Sequence, residues 1–330
     1  VLGDNGSLTL SSAGTLLDIE SRDFAFGGKD VIKLTTGTNA VIGGAGGDDI
    51  TALDGINTIL GDAGRAEFFT DGTLRLIESL NLGAGGDDTI NLSDGVNTVF
   101  AGLGADDIDI GGGRNFVHGD EGKLEVLTDG SDTTVVSTLN ASAGTAANVD
   151  DIDIGAGFNV VIGGAAADTI DVNGSAVDAQ SSILGDNGQI TLQTSTGTLL
   201  SIESSDSSFG GPDVINLTTG TNAVIGGAGG DDITALDGIN TILGDAGRAE
   251  FFTDGTLRLI ESLNLGAGGD DTINLSDGIN TVFAGLGADD IDIGGGRNFV
   301  HGDEGKLEVL TDGSDTTVVS TLNASAGTAA

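Results

Sequence analysis

The chain has 330 residues, of which 59 are glycine, and its 51 acidic residues against 11 basic ones give a net charge of −40. It contains no cysteine, which excludes a disulfide framework, a cysteine-based zinc site and a thiol nucleophile. The negative charge argues against binding to nucleic acid or anionic membranes, and no apolar run is long enough to span a bilayer. Few aromatic residues and high charge are typical of disorder, but 38% of the residues are hydrophobic and they are regularly spaced. We therefore expect the chain to fold once its acidic charge is neutralised.

The chain is a tandem array in which residues 31–147 recur as residues 214–330 with two differences, Lys33 against Asn216 and Val96 against Ile279. The period of 183 residues gives a first repeat over residues 1–183 and a second, truncated repeat over residues 184–330. A G-D-x-G element divides these repeats into sub-units at residues 2–59, 60–117, 118–183, 184–242, 243–300 and 301–330. Because the pattern is cut at both ends and no initiator methionine is present, we interpret the chain as part of a longer protein.

One half of each sub-unit repeats every nine residues, as in AFGGKDVIK, LTTGTNAVI, GGAGGDDIT and ALDGINTIL over residues 25–60. The fourth position is glycine, the sixth is Asp or Asn, and the eighth is Ile or Val. Nine residues suffice for a tight turn, which glycine permits, and a very short strand with an inward branched residue. Two turns make one coil of 18 residues, and coils stack in parallel about 4.8 Å apart. The block that starts at residue 145 is irregular, with Asn148 and Ala166 at the glycine position.

The other half of each sub-unit has two alternating runs around a turn signal, as in RAEFFTDGTLRLIES over residues 65–79. This pattern predicts a β-hairpin that either pairs onto the stacked coils or projects from them. A projecting hairpin that binds a partner is the alternative. The coils themselves predict a flattened two-sheet solenoid with a thin aliphatic core.

The nonapeptide GGAGGDDIT (residues 43–51) fits the pattern G-G-x-G-x-D-x-U-x, and similar nonapeptides occur in series over five blocks. In these blocks the chain resembles the RTX (repeats-in-toxin) family of haemolysin-type calcium-binding proteins, of the giant adhesin or extracellular filament kind. The resemblance implies an all-β fold, a right-handed parallel β-roll or β-solenoid of nonapeptide turns, interrupted here by β-hairpin inserts every ~58–66 residues. It also implies that calcium is held between turns on the same edge of successive coils.

Aspartates at the sixth position of alternate turns recur at the spacing of one coil. Two carboxylates one strand spacing apart repel each other unless a cation lies between them. Oxygen ligands on flexible glycine turns suit Ca²⁺ better than Mg²⁺. Acidic residues that are only solvated turn residues are the alternative. The predicted calcium ligands are therefore the pairs Asp30 and Asp48, Asp88 and Asp106, Asp150 and Asp168, Asp213 and Asp231, and Asp271 and Asp289.

The opposite edge departs from the family pattern, because its sixth position is asparagine. A neutral amide holds calcium weakly, so we expect a hydrogen-bonded ladder of stacked asparagines and calcium on the other edge only. These residues are Asn39, Asn57, Asn97, Asn115, Asn159, Asn222, Asn240, Asn280 and Asn298.

The aspartate of each G-D-x-G element is a further candidate ligand. Asp62 begins the loop that follows the second coil, on the edge that carries Asp48, so it could close a second calcium site there. The same interpretation applies to Asp120 and Asp245, and to their equivalents Asp4, Asp186 and Asp303.

No part of the sequence predicts catalysis. The two histidines, His118 and His301, occupy one repeat position that Leu60 and Phe100 fill elsewhere, and no nucleophile–base set or catalytic motif occurs. We expect a non-enzymatic, calcium-binding structural repeat of a long secreted protein, namely a calcium-stiffened rod that assembles with copies of itself. The alternatives are a stalk module of an RTX enzyme or toxin whose active domain lies elsewhere, and an ice- or surface-binding adhesin module.

The expected setting is extracellular. A chain whose ligands gather only in the native state gains folding energy from calcium. Extracellular calcium modules bind at about 10⁻⁴ to 10⁻³ M, which suits folding after export. The resemblance suggests type I secretion from a Gram-negative bacterium to the cell surface or beyond.

Overall fold

A computed structural model describes residues 1–23, 26–80, 85–139, 148–174, 179–205, 209–263, 268–310 and 317–322. The starts of the blocks at residues 83, 145, 208 and 266 lie outside the described residues. The described residues contain no α-helix, and their strands, numbered in chain order, form three sheets. The predicted all-β parallel roll with hairpin inserts is confirmed.

Two of the sheets are parallel and have ten strands each in the described residues. The outer sheet consists of β3 (Val31–Lys33), β5 (Asp49–Ala52), β9 (Thr89–Leu92), β11 (Asp107–Ile110), β15 (Asp151–Gly155), β17 (Thr169–Asn173), β21 (Val214–Leu217), β23 (Asp232–Ala235), β27 (Thr272–Leu275) and β29 (Asp290–Ile293). The middle sheet consists of β4 (Gly37–Gly44), β6 (Gly55–Asp62), β10 (Gly95–Phe100), β12 (Gly113–His118), β16 (Gly157–Gly164), β18 (Gln180–Asp186), β22 (Gly220–Gly227), β24 (Gly238–Asp245), β28 (Gly278–Phe283) and β30 (Gly296–His301).

The third sheet, the hairpin sheet, is antiparallel and its twelve strands come from six hairpins. They are β1 (Gly6–Leu10), β2 (Leu16–Ser21), β7 (Gly64–Phe68), β8 (Leu74–Ser79), β13 (Gly122–Val126), β14 (Thr133–Thr138), β19 (Gly188–Gln193), β20 (Leu199–Ser204), β25 (Gly247–Phe251), β26 (Leu257–Ser262), β31 (Gly305–Val309) and β32 (Thr317–Thr321).

Each coil contributes one strand to the outer sheet and one to the middle sheet. Within a sub-unit, strands pair in parallel with an offset of 18 residues, for example Ile32 with Ile50 and Asn39 with Asn57. All three sheets continue across residues 183 and 184, where β18 pairs with β22. The predicted 18-residue coil is therefore the stacking unit.

The middle sheet is buried on both faces. Val41 points into the aliphatic core shared with the outer sheet, and the next residue, Ile42, points into a second core shared with the hairpin sheet. This follows from the two-residue period of a strand and explains the unbroken apolar runs in this sheet. The expected two-sheet solenoid is incomplete, because the described hairpin strands neither project nor stay separate but form a third layer.

The hairpin inserted after every second coil has the same rise along the stack as the two coils. Two coils add two strands to each parallel sheet, and one hairpin adds two strands to the hairpin sheet. Both advance the structure by about 9.6 Å at the ordinary strand spacing. One hairpin for every two coils is thus the ratio that lets the hairpin sheet grow alongside the coils without a gap.

Successive hairpins are also joined by a hydroxyl at the end of each hairpin. Gly64 N–H donates to Ser21 Oγ and Gly122 N–H donates to Ser79 Oγ, each at 3.1 Å. Thr138, Ser204 and Ser262 accept the equivalent bonds. These residues link the first glycine of one hairpin to the last strand of the hairpin before it.

Candidate metal-binding edge

The aspartates of the sixth turn position lie in one column, here called the Asp ladder, where middle strands end and outer strands begin. Each carboxylate after the first, Asp30, accepts through Oδ1 a hydrogen bond from the backbone N–H of the preceding ladder aspartate. The N···Oδ1 distance is 2.7 Å between Asp30 and Asp48 and 2.6 Å between Asp48 and Asp88. The same bond joins Asp88, Asp106, Asp150, Asp168, Asp213, Asp231, Asp271 and Asp289 in turn.

All ten predicted ligands therefore meet in one continuous ladder. The five predicted pairs are neighbours, and four further neighbour pairs, such as Asp48 with Asp88, arise across the hairpins. Sequence reasoning missed the latter pairs because a hairpin separates the two residues by 40 or more positions in the chain.

In most ladder aspartates the second carboxylate oxygen has no hydrogen-bond partner among the described residues. In eight rungs Oδ2 is buried and makes no hydrogen bond, and the side chains are at most 2% exposed. These rungs are Asp48, Asp88, Asp106, Asp150, Asp168, Asp213, Asp231 and Asp271. Buried carboxylate oxygens are rarely left without a hydrogen bond, a proton or a cation, because desolvation of the bare charge is costly.

A glycine at the end of the middle strand makes room for each such oxygen. A Cβ atom on Gly61 would lie 2.0 Å from Asp88 Oδ2 and 2.5 Å from the carbonyl oxygen of Ala101. Gly43 stands in the same relation to Asp48, and Gly244 to Asp271. The glycines therefore let a carboxylate oxygen and backbone carbonyl oxygens approach the same place.

Burial dominates the electrostatics of the ladder. It raises the pKa of Asp48 to about 6, of Asp88 to about 9 and of Asp106 to about 8, with neighbouring carboxylates adding to the rise. Burial also raises the pKa of Asp150 and Asp213 well above the usual range. At neutral pH most rungs thus hold a proton unless a cation replaces it.

The oxygen ligands of the Asp ladder fit a hard cation, but carboxylates alone do not complete its coordination. Among the described residues, no three His, Cys, Asp or Glu side chains converge as a metal-ligand group. A cation here would be held by carboxylates of consecutive rungs together with backbone carbonyl oxygens. Ca²⁺, which accepts about six to eight oxygen ligands in flexible geometry, tolerates such a mixed set.

Four aspartates of the G-D-x-G elements, Asp62, Asp120, Asp186 and Asp245, are buried beside the ladder and use both oxygens, whereas Asp4 is partly exposed and Asp303 is exposed. Asp62 Oδ1 accepts from Gly86 N–H at 3.2 Å, and its Oδ2 accepts from Leu103 N–H at 2.8 Å. Asp120 Oδ2 accepts from Ala165 N–H at 2.7 Å and its Oδ1 from Asn148 Nδ2 at 2.9 Å. Asp186 and Asp245 also accept backbone N–H groups from two turns each. These side chains fix the turns of the following coils; the second calcium site at Asp62, Asp120 and Asp245 stays a prediction.

The opposite edge carries the predicted asparagine ladder, which is confirmed. Asn57 Nδ2 donates to Asn97 Oδ1 at 2.8 Å and also to the carbonyl oxygen of Leu53 at 3.3 Å. The ladder is interrupted at β18, where Ser181 lies between Asn159 and Asn222 in the sheet. Each rung thus satisfies its neighbour, so this edge has no orphaned oxygen comparable to that of the Asp ladder among the described residues.

His118 is a core residue. It is fully buried, stacks on Phe100 at a ring-centroid distance of 5.7 Å, and its Nε2 lies 3.2 Å from Thr138 Oγ1. Burial lowers the pKa of His118 to about 3, so the ring is neutral at physiological pH.

Comparison of the chain with protein-family models, curated proteins and solved structures finds no match. No helix among the described residues is long and apolar enough to cross a membrane.

Proposed function

We propose that the chain is a non-enzymatic, calcium-binding structural repeat of a secreted protein of the RTX type. The observation that carries the proposal is the row of eight buried carboxylate oxygens without a hydrogen-bond partner. Hydrogen bonding between coils does not require such carboxylates, since the asparagine ladder on the opposite edge links neighbouring coils with neutral side chains.

Calcium suits this row better than other cations. The ligands on offer are hard oxygens, and the chain has no cysteine and two histidines, which disfavours zinc and copper. Mg²⁺ demands a small octahedral site and keeps its waters, whereas Ca²⁺ accepts irregular sets that mix carboxylate and carbonyl oxygens. The nonapeptide pattern of residues 43–51 points to the same ion.

Bound calcium would supply positive charge between rungs and so make the ladder compatible with burial at neutral pH. The ladder exists only when consecutive coils are stacked, so binding energy becomes folding energy. Affinity in the range of about 10⁻⁴ to 10⁻³ M would leave the chain unfolded at cytosolic calcium and fold it outside the cell. The charge of −40 would keep the exported chain soluble and extended before then.

A mechanical role follows from the repetition. Two copies that match at all but two positions over residues 31–147 and 214–330 extend a stack and do not build one distinct site. The stability of such a stack is a sum over neighbouring coils. A calcium-stiffened rod, in a filament or an adhesin stalk, is the function this supports best.

The test is a calcium titration by calorimetry of the parent protein and two variants. Asp88→Asn keeps an oxygen that can accept the Asp48 N–H but removes the charge, so it should lower the calcium stoichiometry. Asp109→Asn, on the exposed face of the outer sheet, removes the same charge outside the ladder and should leave the stoichiometry unchanged. Equal stoichiometry in all three proteins, or no calcium binding at all, would refute the proposal.

A further inference from the structure

The outer face of the hairpin sheet differs in charge from the opposite side of the molecule. The strands of the hairpin sheet carry nine acidic and six basic residues, whereas those of the outer sheet carry nine acidic residues and a single basic one, Lys33. In a chain with only 11 basic residues, more than half of them lie in this one sheet. The hairpin sheet is thus nearly neutral in a strongly acidic molecule.

Eight of these 15 charged residues lie in a single row across the sheet, here called the charge row. One residue from each strand stands in register with the next across all twelve strands. In spatial order the row is Ser7, Glu20, Arg65, Glu78, Lys123, Ser137, Gln189, Glu203, Arg248, Glu261, Lys306 and Ser320.

The side chains of the charge row lie across the face and remain partly exposed. Glu261 accepts from Arg248 at 2.8 Å, and their side chains are 17% and 34% exposed. Lys123 pairs with Glu125 at 2.7 Å, with about a third of each side chain exposed. The charged groups are therefore already held in place by neighbours in the same sheet and still accessible from outside.

The order of signs in the charge row has a particular symmetry. It runs neutral, negative, positive, negative, positive, neutral, and then repeats once. Read from the other end, the same row gives the opposite sign at every charged position. A second copy turned about a two-fold axis parallel to the strands would therefore place each charge opposite a charge of the other sign.

We propose that the hairpin sheet is a docking face for a second copy of this chain, with the two stacks side by side and antiparallel. In this arrangement Glu20 faces Lys306, Arg65 faces Glu261, Glu78 faces Arg248, and Lys123 faces Glu203, each pair occurring twice. In the neighbouring row Asp18 lies opposite Glu308, a like-charged pair that also occurs twice.

The size of the face is sufficient for a stable pair. Twelve strands about 4.8 Å apart, each five or six residues of about 3.3 Å, give a face on the order of 1,000 Å². A standard interface buries about 800 Å² on each partner. The outer sheet does not offer this possibility, because two copies of its acidic face repel each other. The inference does not depend on calcium at the Asp ladder.

The test is sedimentation equilibrium in millimolar calcium at about 0.15 M salt, where long-range repulsion between two acidic molecules is screened. The parent protein should form a dimer. The double variant Lys123→Glu, Lys306→Glu makes four contacts like-charged and should raise the dimer dissociation constant at least tenfold. Lys29→Glu, Lys33→Glu changes the net charge equally, away from the hairpin sheet, and should leave the dimer unchanged.

A charge-swapped partner makes the register itself testable. Glu20→Lys, Glu203→Lys should also lose its own dimer, but an equimolar mixture with Lys123→Glu, Lys306→Glu should form a heterodimer, since all four contacts regain opposite signs. Circular dichroism confirms that each variant is folded. A parent protein that is monomeric at every concentration, a dimer that survives both double variants, or a mixture without heterodimer would each overturn the proposal.

Discussion

Two classes of aspartate lie a few residues apart in this chain and behave differently because of their burial. Asp106 in the ladder is 2% exposed and its Oδ2 has no hydrogen-bond partner among the described residues, whereas Asp107 and Asp109 of β11 point away from the core. Neighbouring carboxylates of the same sequence motif therefore differ in how much free energy is needed to keep them ionised in the folded state at neutral pH. The ladder members are expected to couple folding to protons and cations, and the buried aspartates of the G-D-x-G elements to protons, since burial raises the pKa of Asp62 to about 10.

The stability of the metal-free protein should fall as the pH rises. Burial raises the pKa of Asp48 to about 6, of Asp106 to about 8 and of Asp88 to about 9 in the fold, above the value near 4 of an unfolded aspartate. The folded state then binds more protons, so their stabilisation is complete below about pH 4 and is lost progressively as the pH rises from about 4 to about 9.

Thermal unfolding in EDTA from about pH 4 upwards, followed until the metal-free β signal is lost, measures this directly, with the same series in millimolar calcium as the control. The calcium-loaded protein should show a much flatter profile. A metal-free unfolding temperature that rises from pH 5 to pH 9 would contradict the pKa assignment.

Ala166 is a strained residue that glycine should relieve. It occupies the glycine position of its nonapeptide and has φ of 83°, in the left-handed region that costs a side chain about 1–2 kcal/mol. Ala166→Gly should therefore stabilise the calcium-loaded protein by about 1 kcal/mol, measured by denaturant unfolding. Ala165→Gly, at a buried neighbour without positive φ, is the matched control and should destabilise.

At the scale of the elements, the coil and the hairpin obey different constraints. The nonapeptide sequence specifies its own local structure, since turn glycines, an inward branched residue and a ladder side chain recur at fixed positions. The 18-residue coil, the two edges and the asparagine ladder could be predicted for that reason.

The third layer could not be predicted in the same way. A single hairpin such as residues 65–79 shows only that two strands pair with each other. Whether Glu20 of one hairpin lies beside Arg65 of the next depends on the equal rise of two coils and one hairpin, which is a property of the assembled stack. The ladder contact between Asp48 and Asp88 was missed for the same reason.

The serine after the recurrent Ile-Glu pair was also missed, although it recurs with the motif. Ser79 Oγ accepts Gly122 N–H inside the hairpin sheet and is buried. Ser79→Ala leaves that donor unsatisfied and should destabilise the protein by about 1–2 kcal/mol in denaturant unfolding. Ser201→Ala, on the outer face of the same sheet, should change the stability by less than half as much.

At the scale of the whole molecule, each layer repeats along one axis and each coil contacts mainly its neighbours. The stability of such a stack is the sum of the interaction free energies between neighbouring coils, which makes unfolding cooperative over many coils. An unpaired charge in one rung therefore also destabilises the next coil. Ten of the 51 acidic residues lie in the Asp ladder, where stacking brings carboxylates together, and a divalent cation would lower the cost of burying them at every rung.

Circular dichroism during a calcium titration at neutral pH tests the central claim most directly. In EDTA the protein should lack most of its β signal at neutral pH, because folding must then protonate ladder carboxylates that are ionised in the unfolded chain. Millimolar calcium should restore the signal cooperatively, and magnesium at the same concentration should restore much less. A β spectrum that EDTA leaves unchanged at neutral pH would contradict calcium-dependent folding.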